Sequence, residues 1–157
     1  MEEYVSPEPI SKVLRGIKPE ITPPEVKHFQ FVVILADDMY PQKAPAIISA
    51  VMGTLVEHRA NVSTVTPVLF VALLGVPFPE GNSAEARRGL VDALLRENGD
   101  LIRIVHGESD GAFGMFGGHG RWTYGALLPG LAGILGKLVG AKFGTAVEVE
   151  SKTPNAA

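Results

Sequence analysis

The stretch HFQFVVILADD, residues 28–38, is a β-branched and aromatic run that stops abruptly at two aspartates. A run of this kind is typical of a strand that is buried on both faces of a sheet. Asp37 and Asp38 at its end can cap the strand and the turn that follows, or can weakly hold a cation. The fold therefore depends on what packs against this strand.

The elements that follow alternate between helix and strand. Apolar residues at helical spacing predict a helix in residues 42–58, and residues 61–77 read as two strands with a turn near Pro67. Asn82 or Ser83 then caps a second helix, AEARRGLVDALLREN, which stops at Asn98 and Gly99. On this helix, Arg87 and Arg88 are expected to form a solvated face.

The C-terminal half adds a strand in residues 100–107, a glycine-rich stretch in residues 111–125, a helix from about Ala126 to Val139, and a last strand in residues 142–151. The order β-α-β-β-α-β followed by a hairpin, a helix and a strand predicts an α+β fold. We expect a ferredoxin-like palm with a C-terminal extension.

Length and composition divide the chain into three parts. The 157 residues correspond to about one domain. Five prolines in residues 1–27 predict a flexible arm, residues 28–150 form the domain, and residues 151–157 form a tail.

Charge and composition exclude several classes of function. A net charge of −3 without a cluster of basic residues argues against nucleic-acid binding. The absence of cysteine excludes disulfides and thiolate metal sites, and favours a cytoplasmic location. We expect no signal peptide and no membrane span, because no apolar run is long enough.

The glycine-rich stretch GAFGMFGGHGRWTYG, residues 111–125, could cradle a phosphate or form a kinked hairpin. A phosphate loop would close with Gly-Lys-Ser or Gly-Lys-Thr, whereas this stretch continues as Gly120-Arg121-Trp122. The spacing therefore favours the hairpin.

Four segments, in this order and spacing, resemble the class III adenylate and guanylate cyclase homology domain. They are VVILADD at residues 32–38, PVLFVALLGVP at 67–77, SAEARR at 83–88 and GMFGGHGRWTY at 114–124. The resemblance covers about residues 30–150 and implies the cyclase fold. It also assigns the glycine-rich stretch to the hairpin that precedes the interface helix.

The resemblance also implies which functional groups are missing. Cyclases of this family hold two divalent ions with two aspartates, of which Asp37 matches the first and Val68 stands at the second. Thr64 stands where the family has its base-selecting lysine. Asp37 and Asp38 would thus form at most a weak, vestigial metal site.

On the third helix, the family's aspartate, asparagine and arginine fall on Pro129, Ala132 and Gly136. A slip of one residue would move them to Gly130, Gly133 and Lys137, and the asparagine is absent in either alignment. At best a lysine replaces the arginine, without its bidentate geometry.

These losses predict a catalytically inactive cyclase-like domain, a pseudoenzyme without a cofactor that acts as a regulatory or scaffold module. We expect a homodimer, and a protein partner that binds through the proline-rich arm. The expected dimer interface comprises Leu131, Ala132, Gly133, Leu135 and Gly136. The alternatives are a divergent active cyclase that uses magnesium and borrows missing groups from another subunit, and a non-catalytic nucleotide sensor.

Overall fold

The computed structural model describes residues 25–149, in which strands and helices alternate. The elements are β1 (Glu25–Ala36), α1 (Ala44–Glu57), β2 (Asn61–Thr66), β3 (Leu69–Leu74), α2 (Ala84–Asn98), a 3-10 turn (Gly99–Leu101), β4 (Ile102–Gly118), β5 (Arg121–Leu127), α3 (Leu131–Gly140) and β6 (Ala146–Glu148). The predicted tail and the predicted arm up to residue 24 lie outside the described residues.

The described strands form one sheet in the order β2-β3-β1-β4-β5, with antiparallel neighbours throughout. The short strand β6 pairs in parallel with β4. The order β-α-β-β-α-β and its extension confirm the predicted α+β palm. The strand that ends in Asp37 lies at the centre of the sheet.

The central strand is buried on both faces, as its sequence predicts. On one face, Val32 and Ile34 pack beneath α1 and α2 in a core that includes Leu55 and Leu90. On the other face, Phe29, Phe31 and Val33 pack beneath α3 in a second core. The sheet therefore separates two hydrophobic cores.

Local signals set the ends of α2. The Ser83 hydroxyl accepts a hydrogen bond from the Ala86 backbone N–H at 3.0 Å, which satisfies one of the free N–H groups of the first turn. The helix ends at Gly99, whose φ of 56° lies in the region that favours glycine. The predicted bounds of this helix are confirmed.

The third helix starts later than its sequence predicts. Ala126 and Leu127 belong to β5, where they pair with Phe113 and Ala112 of β4. Pro129 then disfavours a helical conformation for the residue before it, and Gly130 takes a φ of 73° immediately before α3. The helix consequently begins at Leu131 instead of Ala126.

The glycine-rich stretch lies in the β4–β5 hairpin, as predicted, and one of its glycines is required by a close approach. A Cβ at Gly111 would lie 2.7 Å from Cζ of Phe29 and would also collide with the Leu127 carbonyl oxygen. The Phe29 ring thus occupies the space that a side chain at residue 111 would need.

None of the helices within residues 25–149 is long and apolar enough to cross a membrane.

Candidate active site

Asp37 follows the end of the central strand and lies between two neighbouring elements. The Ala36 N–H donates to the Val68 carbonyl at 2.9 Å on one side, and the Asp37 N–H donates to the Leu101 carbonyl at 2.8 Å on the other. These two hydrogen bonds fix the backbone of Asp37 just beyond the end of the central strand. The start of β3 and the turn before β4 therefore lie beside the carboxylate.

The side chains of the two aspartates differ in their surroundings. The Asp37 carboxylate is half-buried and accepts a hydrogen bond from the Met39 N–H at 2.9 Å, which closes a local turn. Asp38 is exposed. The Asp37 carboxylate can accept further bonds, because each of its oxygens has two lone pairs.

A cavity of about 210 Å³ opens beside Asp37. Its lining residues are Asp37, Tyr40, Lys43, Ile47, Asp100 and Leu101. Lys43 is the N-cap residue of α1, and its ammonium lies 5.2 Å from the centre of the Tyr40 ring. The cavity thus combines two carboxylates with one ammonium, on three different elements.

Val68 precedes β3 and lies opposite Ala36, the last residue of the central strand, and its apolar side chain contributes no ligand oxygen. It is partly buried and packs against the core beneath α1 and α2. Thr64 belongs to β2, where its backbone pairs with Phe70. Within residues 25–149, no group of three or more acidic or histidine side chains could hold a metal ion.

The residues predicted to form an interface on the third helix divide between two faces. Leu131 and Leu135 are partly buried and pack against the second core. Ala132, Gly133 and Gly136 are exposed, as is Val139 at 66%. The exposed face of α3 therefore consists of small and apolar residues together with Lys137, and Pro129, just ahead of the helix, is also exposed.

Two lining residues of the cavity, Lys43 and Asp100, were not predicted from the sequence. Asp100 lines the cavity because β4 lies next to β1, so that the turn before β4 reaches the end of the central strand. Lys43 lines it because α1 begins shortly after Asp38. The sheet order of a ferredoxin-like palm would have been the signal for Asp100.

A second polar cluster lies between α2 and the sheet, and it corrects the prediction that Arg87 is solvated. Arg87 is only 3% exposed. Its Nε donates to Nδ1 of His106 at 3.0 Å, another guanidinium nitrogen donates to Gln30, and Nη2 lies 3.2 Å from Oε2 of Glu148. Arg88 is exposed, as predicted, and holds the same Glu148 with two hydrogen bonds of 2.8 Å.

This cluster changes the acidity of two of its members. Hydrogen bonds from Arg88 lower the pKa of Glu148 to about 2, with Arg87 contributing further. Burial lowers the pKa of His106, and the positive charge of Arg87 lowers it again. These effects favour the neutral form of His106, whose Nδ1 accepts a hydrogen bond from Arg87. Through Arg87 and Arg88 the cluster links α2 to β1, β4 and β6 of the sheet.

The fold is similar to several solved structures of nucleotide cyclases. A crystal structure of the guanylyl cyclase Cya2 matches with a TM-score of 0.62 and 13% identity, covering 80% of this chain and 76% of that one. The adenylyl cyclase CyaB from P. aeruginosa matches with a TM-score of 0.64 and 11% identity, covering 79% and 78%. A bacterial light-regulated adenylyl cyclase matches with a TM-score of 0.63 and 10% identity, covering 83% of this chain and 44% of that one.

No protein-family model and no curated protein sequence matches this chain. The expectation that the chain is not an enzyme, which rested on the missing side chains, is nevertheless wrong. The solved structures described above, which the fold of this chain resembles, are all of adenylyl or guanylyl cyclases. The chain has the cyclase-like fold of class III adenylyl and guanylyl cyclases.

Proposed function

We propose that this chain is a divergent nucleotide cyclase domain that binds a nucleoside triphosphate and completes its active site by pairing with another cyclase-fold subunit. The observation that carries the proposal is Asp37, which lies at the end of the central strand of a cyclase-like fold and lines the cavity with Lys43 and Asp100.

The charges of the cavity favour a nucleotide that arrives with a divalent cation. Asp37 and Asp100 would repel a triphosphate, and Lys43 alone offers one compensating charge. Magnesium is commonly held by one or two carboxylates together with substrate phosphates. Asp37 fits one such ion, whereas Val68 does not fit the two-ion site of the family.

Asp37 and Lys43 would have different roles in binding the nucleotide in this cavity. Asp37 would hold the cation, and the Asp37–Met39 hydrogen bond would keep its carboxylate oriented. Lys43 would contact the phosphates from the start of α1, where the positive end of the helix also favours an anion. When bound, magnesium would stabilise the negative charge that develops on the phosphates.

The other groups of the reaction would have to come from a partner. A second copy of this chain would carry the same Thr64, Ala132 and Gly136, so it would not supply a lysine, an asparagine or an arginine there. A cyclase-fold subunit that has those groups would supply them. The exposed face of α3 would form the contact, because its small residues allow the close approach of another backbone.

Binding is tested first, on the full chain alone. Melting temperatures are measured with ATP and with GTP, each with magnesium or manganese chloride. A ligand at 100 times its Kd adds about 2.7 kcal/mol to the free energy of unfolding. We expect a rise that Asp37→Asn abolishes and that Asp92→Asn, at an exposed position on α2, preserves. No rise with either nucleotide would overturn the proposal.

Turnover is tested by complementation. The chain is mixed with a bacterial cyclase domain whose own metal-binding aspartates have been replaced, so that neither component alone can complete the site. Cyclic nucleotide formed by the mixture and lost with Asp37→Asn would support the proposal. Nucleotide binding without product in the mixture would identify a nucleotide-sensing domain instead and would refute the catalytic role.

A further inference from the structure

The turn that leads from the central strand into α1 brings an aromatic ring and an ammonium together. The Lys43 N–H donates to the Tyr40 carbonyl at 2.9 Å, so residues 40–43 form a β-turn. Pro41 occupies the second position of this turn, where its fixed φ is favourable. The Cα atoms at the two ends of such a turn lie within about 7 Å, so the side chains of Tyr40 and Lys43 can meet.

These two side chains are in contact in the wall of the cavity beside Asp37. The Lys43 ammonium lies 5.2 Å from the centre of the Tyr40 ring. This distance is within the range of about 6 Å over which the face of an aromatic ring attracts a cation. Both side chains line the cavity of about 210 Å³. Tyr40 is 53% exposed and belongs to neither of the two hydrophobic cores, so packing in the core does not account for the position of its ring.

The contact with the ring takes the place of an ion pair. Asp37 and Asp100 line the same cavity, yet no carboxylate within residues 25–149 forms a salt bridge with Lys43. Cation–π contacts and salt bridges at exposed positions are of similar strength, so a ring can compete with a carboxylate for an ammonium. Asp37 consequently remains available for a cation, and Lys43 for an anion.

An ammonium that is held by a ring can still bind a phosphate. It carries three N–H donors, and the ring occupies only one side of it. A flexible lysine loses rotamer freedom when it binds a ligand, and a contact that already restricts the side chain reduces this loss. The Tyr40 ring would therefore increase the affinity for phosphates without touching them.

We propose that Tyr40 is a positioning residue that holds the Lys43 ammonium in this cavity, away from Asp37 and Asp100, for the phosphates of a nucleoside triphosphate. The inference rests on the proposed function, because that function assigns Lys43 to the phosphates. It adds that the aromatic ring, without its hydroxyl, is sufficient and that the ring acts only through Lys43.

The contact is tested first without a ligand. The full chain is labelled isotopically at lysine, and the signals of Lys43 are assigned by nuclear magnetic resonance as those that disappear in Lys43→Met. We expect the ε-protons of Lys43 to be shifted upfield by the ring current of Tyr40. Tyr40→Phe should keep this shift, and Tyr40→Leu should abolish it. If the Lys43 signals of the parent coincide with those of Tyr40→Leu, the inference is overturned whether or not a nucleotide binds.

The effect on binding is measured by isothermal titration calorimetry of the full chain with ATP and with GTP, each with magnesium chloride. Tyr40→Leu should raise the Kd about two- to fivefold, which corresponds to the strength of an exposed cation–π contact. Tyr40→Phe should restore the affinity, because it keeps the ring. Phe78→Leu is the matched control, since Phe78 is also aromatic, is 40% exposed and does not line this cavity.

A double-mutant cycle tests whether the ring acts through Lys43. The combination of Tyr40→Leu with Lys43→Met should have the same Kd as Lys43→Met alone, because the ring no longer has an ammonium to hold. A further loss of affinity in this combination would overturn the inference, since the ring would then contact the nucleotide itself.

The remaining outcomes separate this inference from the proposed function. If the parent binds a nucleotide and Tyr40→Leu binds it with the same Kd, the inference is overturned and the proposed function stands. If the parent binds neither ATP nor GTP, the proposed function is wrong, and the inference fails with it.

Discussion

Replacing Arg87 with methionine should destabilise the domain although the volume of the side chain is nearly kept. Arg87 is buried and donates hydrogen bonds to His106 and Gln30, which are themselves buried. Methionine cannot donate, so two buried acceptors would lose their partner. An unsatisfied buried acceptor costs about 1–3 kcal/mol, so two of them give a loss of about 2–6 kcal/mol in the free energy of unfolding.

The ion pair with Glu148 adds little to this figure. Its carboxylate is 42% exposed and keeps both hydrogen bonds from Arg88, so solvent and the second arginine compensate for the loss. The estimate therefore depends on the two buried acceptors alone. For a chain of 157 residues, a change of 3 kcal/mol lowers the melting temperature by about 6–12 °C.

The assay is urea unfolding followed by circular dichroism, with Arg88→Met as the matched control. The control removes an arginine that contacts the same Glu148 but is exposed, so its midpoint should stay close to that of the parent. The double variant Arg87→Met with His106→Leu should recover part of the loss, because one acceptor is removed with its donor. If Arg87→Met unfolds at the same midpoint as Arg88→Met, the reasoning about the buried cluster is wrong.

Three further predictions concern pH, packing and assembly. Because the pKa of His106 is lowered from 6.5 in the folded state, the unfolded chain binds more protons below that pH, and stability should fall as the pH drops through 6.5. In urea unfolding, His106→Asn should remove the part of the stability loss that occurs near pH 6.5. The lowered pKa of Glu148 should still reduce the stability of this variant as the pH falls from 4.5 towards about 2. If the urea midpoints of the variant and the parent change with pH in parallel, the role of His106 is wrong. Gly111→Ala should lower the free energy of unfolding by about 2–3 kcal/mol, because its Cβ would meet Phe29. Gly133→Ala has nothing within 4 Å of its Cβ and should stabilise α3 by up to about 1 kcal/mol. Equal melting temperatures for the two variants would refute the packing argument. Gly136→Arg should reduce the mass measured by light scattering to that of a monomer while the fold is retained, and a parent chain that is already monomeric at high micromolar concentration would rule out the homodimer.

The elements that the sequence predicts best are those with strong local signals. The central strand is recognisable because its burial on both faces requires an uninterrupted apolar run ending at Asp37. The bounds of α2 are recognisable because Ser83 and Gly99 satisfy its ends locally. The start of α3 is not, because Leu127 fits the helical spacing but pairs with Ala112 in the hairpin.

The candidate site is only partly readable for a related reason. The approach of Val68 to the end of the central strand follows from the resemblance of their two segments to cyclases. The approach of Asp100 and the burial of Arg87 depend on which strands become neighbours, and no local pattern encodes that. An arginine on an amphipathic helix looks solvated until the acceptors of β1 and β4 are known to lie beneath it.

The contact between Phe29 and Gly111 has a consequence for the evolution of the domain. One phenylalanine ring fills the volume that two side chains would otherwise share, so selection acts on the pair and not on either residue alone. A descendant with a larger residue at position 111 would need a smaller one at position 29 and also a shift of the β5 backbone at Leu127. Position 111 should therefore stay glycine among relatives that keep Phe29 and this hairpin, whereas Gly133, with open space around it, should drift independently.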